Sequence, residues 1–485
     1  MRRAVVAAVM AAGMVLVGVA AAVASQQPSG EGLKEHAQFS RQSLRTYTGG
    51  IKGASASNME AVAHVDLGGR GFNADVWTHK GYAYVGQWGF SDWSAGNSRF
   101  CPSDDSTRGV AVVDARDPAN ARWVARLENP VGTSIEDVVV FTARYGPYRG
   151  RDIAAGGLQV CGGSRYEPLL DRGLMLWDVT SPERPVQIGY LKTACCTRGV
   201  HELEVQHRTD LKRTFVYASV PASRYPDGAT LSGVRDANGH GDFRLFDVTD
   251  PASPSQVSQW AIQDAGGPFD GYGCDADANY GHSVEPSADG KLAFVAYWDS
   301  GYVALDLTNP SKPVFKGRTV YDADEDGDAH SSQYDEARKL LFAADEDWCK
   351  TSGPGVEQGY GYLRVYDYSK LGSPKQIGEY RTANTSGASD PGAGDYTIHN
   401  NVLVGTTLYT SWYSDGVRVI DVANPRAPRE VAHFVPPAAQ NPVKPSQRGV
   451  LTNAVQVWGV AVDESTGLVY ASDMNSGLWI VRRTG

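Results

Sequence analysis

The stretch YDADEDGDAHSSQYD, Tyr321 to Asp335, carries two chemistries at once. Asp322, Asp324, Asp326 and Asp328 alternate around Gly327, which is how a calcium loop spaces its hard carboxylate oxygens about a sharp turn. Position twelve of such a loop needs a bidentate Glu and holds Gln333 here, so a calcium site stands beside the plainer reading of solvated acidic turns. A second acidic cluster, Asp275-Ala-Asp277-Ala-Asn279, lies just ahead of His282. His330 belongs to the other chemistry. Its segment AHSSQY has counterparts in VHELEV (His201), GHSVEP (His282) and IHNNVL (His399), so four of the ten histidines occupy one position of a recurring segment. Neutral imidazole is a common metal ligand, and four imidazoles favour Cu, Fe, Zn or Ni over Ca or Mg.

Such histidines can meet only if the elements carrying them are arranged around a common point, and an internal repeat supplies that arrangement. GVAVVDARDPANA (from Gly109), GLMLWDVTSPERP (Gly173), FRLFDVTDPASP (Phe243), GYVALDLTNPSKP (Gly301), GYLRVYDYSKLGSP (Gly361) and GVRVIDVANPRAP (Gly416) each read as a strand ending in Asp, a turn closed by Pro, and a second strand. Asp at the strand end can accept from the turn backbone, and Pro fixes φ after it. Asp114, Asp178, Asp247, Asp306, Asp367 and Asp421 mark six copies, and GLWIVRR from Gly477 begins a seventh that stops before its final strand. The copies are spaced by 54 residues (Asp367 to Asp421) to 69 residues (Asp178 to Asp247), which suits propeller blades carrying insertions. With two further strands ahead of each copy, every unit has four strands, lettered a to d from the channel outward. AVAHVDL, Ala61 to Leu67, precedes the first complete unit and should supply strand d of the last blade. The predicted fold is all-β, a seven-bladed β-propeller over residues 58–485, with a shorter ring or two open sheets as the alternative.

These repeats, VAVVD and VRVID above all, resemble the LVIVD-repeat family of exported bacterial and archaeal proteins. The resemblance covers essentially the whole chain after residue 58. It implies a β-propeller outside the cytoplasm and no settled activity, so function rests on the residues.

Aligning the seven a strands gives one column: Asn73, Glu136, His201, His282, His330, His399 and Trp458. Four adjacent blades thereby place a histidine at the mouth of the channel. One reading is a transition-metal site, Cu or Fe favoured and Zn possible, with Ca possible at the acidic loop. Glu136 and Glu202 would then orient the ligating rings from behind, and Asn73 and Trp458 would complete the ring without ligating. The other reading is a polar channel whose histidines bond one another and ordered water.

The surroundings bound the function class. Arg2 and Arg3 precede an Ala/Val-rich run ending in Ala22-Val23-Ala24, which reads as a signal peptide of residues 1–24 cleaved before Ser25. An uncleaved anchor is the alternative, since the run is long enough to span a bilayer. Residues 25–57 read as a flexible polar lead-in. A net charge of −10 argues against non-specific nucleic-acid binding. Six cysteines, Cys101, Cys161, Cys195, Cys196, Cys274 and Cys349, are expected to form disulfides between loops of one face in an exported chain. Long b–c and d–a loops on that face, with Trp88, Trp93, Trp298, Trp348 and Trp412 at their edges, are where a small-molecule or extracellular ligand would bind. The residues thus point to a secreted, extracellular or periplasmic protein, either a metal-dependent oxidoreductase or a non-catalytic binding or adhesion propeller.

Overall fold

The aspartates that end the repeats do what their position suggests. Asp114, Asp178, Asp247, Asp306, Asp367 and Asp421 each accept, through Oδ1, from the backbone N–H two residues on, at 2.8–3.2 Å. Each therefore turns the chain from strand c into the short c–d connection. In the computed structural model the described residues are 55–68, 72–89, 109–161, 169, 171–195, 197–221, 239–266, 279–322, 327–347, 360–386, 394–439 and 455–485. The expected signal peptide lies outside them. No helix among the described residues is long and apolar enough to cross a membrane.

The strands form seven antiparallel blades. Strands a, from blade 1 to blade 7, are Asn73–His79, Thr133–Thr142, Leu203–Arg208, Val284–Pro286, Ala329–Asp335, Asn401–Val404 and Val457–Asp463. Strands b and c are covered on both faces by neighbouring blades, and so read as unbroken apolar runs such as VAVVD and LLFAAD, buried at every position. Strands d lie at the rim, and SQVSQW and RWVARL are exposed at the first residue, buried at the fourth and sixth, and half-buried between. Blades 1 and 2 are joined by a bridge between Gln87 and Ile135.

Met59–Val65 pairs antiparallel with Gly477–Arg483, from Met59 opposite Arg483 to Val65 opposite Leu478. The N-terminal strand is thus strand d of the last blade, and the ring closes. Val65, Leu67, Leu478 and Ile480 then share one core with Ala83, Val85, Ala111 and Val113 of blade 1. The lead-in ends earlier than the sequence suggests. Ser55–Ser57 pairs with the rim strand of blade 6, Ser55 opposite Val435, making that blade five-stranded. Its small polar residues carry no apolar pattern, and only the open edge of the rim strand recruits them.

Two outcomes test this architecture. Val65→Asp places an unpaired carboxylate in the closing seam and should destabilise the protein by roughly 3 kcal/mol or more, whereas Glu60→Ala on the same strand's exposed side should stay within about 0.5 kcal/mol. Thermal melting reads both, and equal midpoints would mean that the seam does not hold the ring. The turns add a dependence on pH. Asp114 is held below the ordinary carboxylate range first by its hydrogen bond to Arg116, and Asp306, Asp367 and Asp421 first by the backbone N–H each accepts. A folded-state pKa below the unfolded value of about 3.9 stabilises above that pH and loses its effect as pH falls through the folded value. The melting temperature should therefore decline below about pH 4, and a flat profile between about pH 5 and 2 would contradict it.

Candidate metal centre

Each a strand enters the channel through a bulge. In blade 3 the His201 N–H donates to the Ser219 carbonyl, and the Ser219 N–H donates to the Glu202 carbonyl, so two residues face one. His282 and Ser283 oppose Ala296 in blade 4 in the same way, and His399 and Asn400 oppose Ser411 in blade 6. In blades 5 and 7 the register slips between Ala329 and Ser331 and between Val457 and Gly459, leaving His330 and Trp458 as the extra residues. Blades 1 and 2 slip between Asn73 and Val76 and between Ile135 and Val138. A bulge suspends the alternation of a strand, which is why the consecutive side chains of His201 and Glu202 both reach the same cluster. Close approach of the blades needs glycine: a Cβ on Gly86 would lie 1.8 Å from the Glu136 carbonyl, and one on Gly157 would lie 2.6 Å from that of Val200.

The predicted column becomes a ring. Imidazole centroids are 4.3 Å apart for His201 and His282, 3.9 Å for His282 and His330, and 4.1 Å for His330 and His399. Trp458 follows at 4.3 Å from His399, Trp88 at 5.4 Å from Trp458, and Trp88 returns to His201 at 6.5 Å. All four histidines are buried. Their partners assign the protons. His330 Nδ1 lies 3.2 Å from the His399 carbonyl and His399 Nδ1 lies 2.8 Å from the Trp458 carbonyl; a carbonyl only accepts, so both Nδ1 atoms donate and both Nε2 atoms keep a lone pair.

Those lone pairs face carboxylates. Glu202 Oε1 lies 3.4 Å from His282 Nδ1 and 3.8 Å from His330 Nε2. Glu346 reaches His330 Nε2 at 3.4 Å and His399 Nε2 at 3.8 Å, and also accepts from the Tyr413 hydroxyl. His282 Nδ1, His330 Nε2, His399 Nε2 and Glu202 Oε1 are buried without a hydrogen-bond partner. Acceptor atoms that face one another without donors cost about 1–3 kcal/mol each, and a cation among them removes that cost. Two groups offer three donor atoms within 4.8 Å of one another: His201, Glu202 and His282, and His282, His330 and Glu346. The donor sets that meet this spacing are therefore mixed imidazole–carboxylate triads sharing His282, not a set of four imidazoles.

The electrostatics follow from burial. His282, His330 and His399 are held well below the ordinary imidazole pKa by desolvation first and by the neighbouring histidines next, so their rings are neutral. Glu202 is pushed well above the carboxylate range by desolvation, then by Asp75, Asp137, Glu136 and Glu346. Desolvation also raises Asp75 and takes Asp137 to about 7. With no cation to neutralise them, burial disfavours the ionised form of these carboxyls.

The other expected residues fall in varied places. Glu136 Oε2 lies 2.5 Å from His201 Nδ1 and accepts from the Gln159 amide, as a group behind the ring should. Glu202 instead faces the cluster directly. Asn73 is not part of the cluster. Its amide donates to the Asp473 and Met474 carbonyls and ties blade 1 to blade 7. Trp88 packs beside Trp458, Trp298 lies 5.4 Å from His282 and stacks on Tyr280, and Trp412 is a core residue bonded to the Tyr396 carbonyl. Trp93 and Trp348 lie outside the described residues, as do Asp324 and Asp326 of the calcium loop. Of that loop's flanks, Asp322 is exposed and Asp328 is buried.

The expectation of disulfides needs correction in its pairing, although Cys161 and Cys195 are each disulfide-bonded. No two described cysteines are joined in a disulfide. Only Cys161 and Cys195 are described, neither is a free thiol, and Cys101, Cys196, Cys274 and Cys349 lie outside the described residues. An even count speaks for a compartment, whereas a bridge needs two Cα atoms about 4.4–6.8 Å apart, which counting cannot supply. Sequence reasoning also missed Glu346 and Tyr413. Asp345-Glu346 closing the apolar strand LLFAAD is the one local signal that pointed to Glu346.

The LVIVD repeat profile matches residues 281–320, the segment from just before His282 through blade 4. The chain therefore carries an LVIVD-repeat domain. No curated protein matches it. Among solved structures it is similar to Raptor from Chaetomium thermophilum, at 10% identity and a TM-score of 0.48, covering 86% of this chain and 28% of that one. It is also similar to a chain of a mitotic checkpoint complex, at 8% identity and a TM-score of 0.47, covering 90% of this chain and 96% of that one. Likenesses this distant carry no argument about the site, and the chain spans little more than a quarter of the Raptor chain, at 28%.

The proton inventory yields a measurable consequence. Since burial favours the neutral form of His282, His330 and His399, proton competition for a cation comes from the carboxyls that burial has raised. Divalent-ion binding at neutral pH should release protons, and affinity should rise with pH across neutrality because fewer protons then compete. Calorimetry in buffers of different ionisation enthalpy checks this. A heat independent of the buffer would show carboxylates already ionised in the metal-free protein.

Proposed function

We propose that this protein is an exported β-propeller that holds a transition metal in its inner ring and acts as a metal-dependent oxidoreductase on a small molecule reaching the loop-rich face. One observation carries the reading: imidazole nitrogens of three buried histidines face the carboxylates of Glu202 and Glu346, and His282 Nδ1, His330 Nε2, His399 Nε2 and Glu202 Oε1 have no hydrogen-bond partner. Imidazole with carboxylate suits Fe, Cu or Zn, and two His with one carboxylate is the set that leaves positions open on non-haem iron.

A bound redox metal would supply one-electron chemistry at an open coordination position. The chain's own residues would hold the ion, through imidazoles of the histidine ring with Glu202 and Glu346. The Tyr413 hydroxyl orients Glu346. Trp88, Trp458 and Trp298, packed against the ring, limit water at its edge. Glu202, whose ionised form burial disfavours, is placed to give up or take back a proton when charge at the site changes. Export rests on the signal-peptide pattern ending at Ala24, and mature protein should start near Ser25.

Elemental analysis and equilibrium dialysis against Cu²⁺, Fe²⁺ and Zn²⁺ test the proposal. His330→Ala and His399→Ala should each leave a folded propeller, because the ring is held by blade packing, while weakening binding by more than about 100-fold, beyond the cost of losing an outer partner. If wild type binds no transition metal more tightly than the variant with all four histidines replaced by Ala, the channel is merely polar and the protein is a binding or adhesion propeller.

A further inference from the structure

The four histidines are not equivalent. His201 Nε2 lies 2.8 Å from His282 Nε2, and its Nδ1 lies 2.5 Å from Glu136 Oε2, which is itself held by the Gln159 amide. His201 Nδ1 thus stands in ion-pair contact with Glu136 outside hydrogen-bond geometry, while its Nε2 meets the His282 ring. A carboxylate oxygen against Nδ1 calls for a proton on that nitrogen, which leaves His201 Nε2 as the acceptor and His282 Nε2 as the donor. His282 then presents Nδ1 as its lone pair, and Nδ1 is the atom facing Glu202 Oε1 at 3.4 Å. The separation of the two Nε2 atoms agrees. Two nitrogens on one ion at bond lengths of 2.0–2.1 Å stand about 2.9 Å apart at a right angle and about 3.3 Å apart in a tetrahedron. A distance of 2.8 Å falls well below the tetrahedral spacing and is that of a shared proton.

We infer that His201 is a positioning residue and not a ligand: the chain Gln159–Glu136–His201–His282 turns His282 so that its Nδ1 faces an ion held together with His330 Nε2, His399 Nε2, Glu202 and Glu346. This deepens the reading of the cluster as a metal centre and rests on it. The arrangement sets His282 apart. His330 and His399 spend Nδ1–H on backbone carbonyls and ligate through Nε2, whereas His282 spends Nε2–H on His201 and ligates through Nδ1. Outer partners of this kind fix ring orientation, and losing one typically lowers metal affinity about 10–100-fold without abolishing binding.

Two measurements test it, one without metal. Nitrogen-15 NMR of histidine-labelled, metal-free protein should show His282 alone of the four as the Nε2–H tautomer, with His201, His330 and His399 as Nδ1–H. His282 found as Nδ1–H overturns the inference. Zn²⁺ dialysis then compares variants. His201→Ala should weaken binding about 10–100-fold, and His201→Gln, whose amide can donate to Glu136 and accept from His282, should recover most of that loss. His330→Ala should lose far more, with no rescue by Gln. If His201→Ala and His201→Gln both lose Zn²⁺ as fully as His330→Ala, His201 is a ligand and the inference fails while the metal centre stands. If His201→Ala binds as wild type does, the chain positions nothing. If wild type binds no metal at all, the metal reading fails and takes this one with it.

Discussion

The pairing of Met59–Val65 with Gly477–Arg483 is the constraint on which the rest of the molecule depends. A blade with an open edge can splay, and seven blades in an open arc need not point their inner strands at one axis. Once the N-terminal strand completes the last blade, every inner strand lies at a set place around the channel. The centroid separations of 3.9–4.3 Å between successive histidines of the ring follow from that closure. No local motif brings His201 within hydrogen-bonding distance of His282, 81 residues away.

Within the ring, burial decides the chemistry. Desolvation drives His282, His330 and His399 toward their neutral form and disfavours the ionised form of Glu202, which lowers the charge of the metal-free cluster. A set of neutral nitrogen donors beside carboxyls ready to release protons is chemically prepared for a divalent cation. The same burial makes the cluster costly to keep for structure alone, since atoms such as His399 Nε2 and Glu202 Oε1 have no partner.

Much of the fold was legible because a propeller repeats itself. Six Asp-ended strands announced the blades, and the unfinished seventh announced the closing strand. The aligned column was legible for the same reason, and its Glu136, four histidines and Trp458 lie close together in the fold. Asn73 shows its limit. The bulge of blade 1 falls between Asn73 and Val76, so the residue that alignment places in the column serves a contact with blade 7, and Asp75 two positions later lies within electrostatic reach of the acidic cluster. Glu202 was placed behind the ring, yet the bulge at His201 turns both side chains to the cluster. Glu346 could not be placed at all, because it follows a b strand and enters the site only where blade 5 meets the axis.

The sequence by itself determined the blade count, the strand order, the turns and the residue types available at the channel mouth, because these depend on local hydrogen bonding and on apolar patterns that each repeat carries within itself. Only the tertiary structure decided which atoms of those residues meet. Bulges overrode strand alternation, carbonyls from neighbouring blades chose which nitrogen of His330 and His399 holds a proton, and enclosure by the assembled ring shifted His282, His330, His399 and Glu202 toward their neutral forms. Tautomer, ionisation and donor set are properties of contacts between blades, and those contacts exist only after the ring has closed.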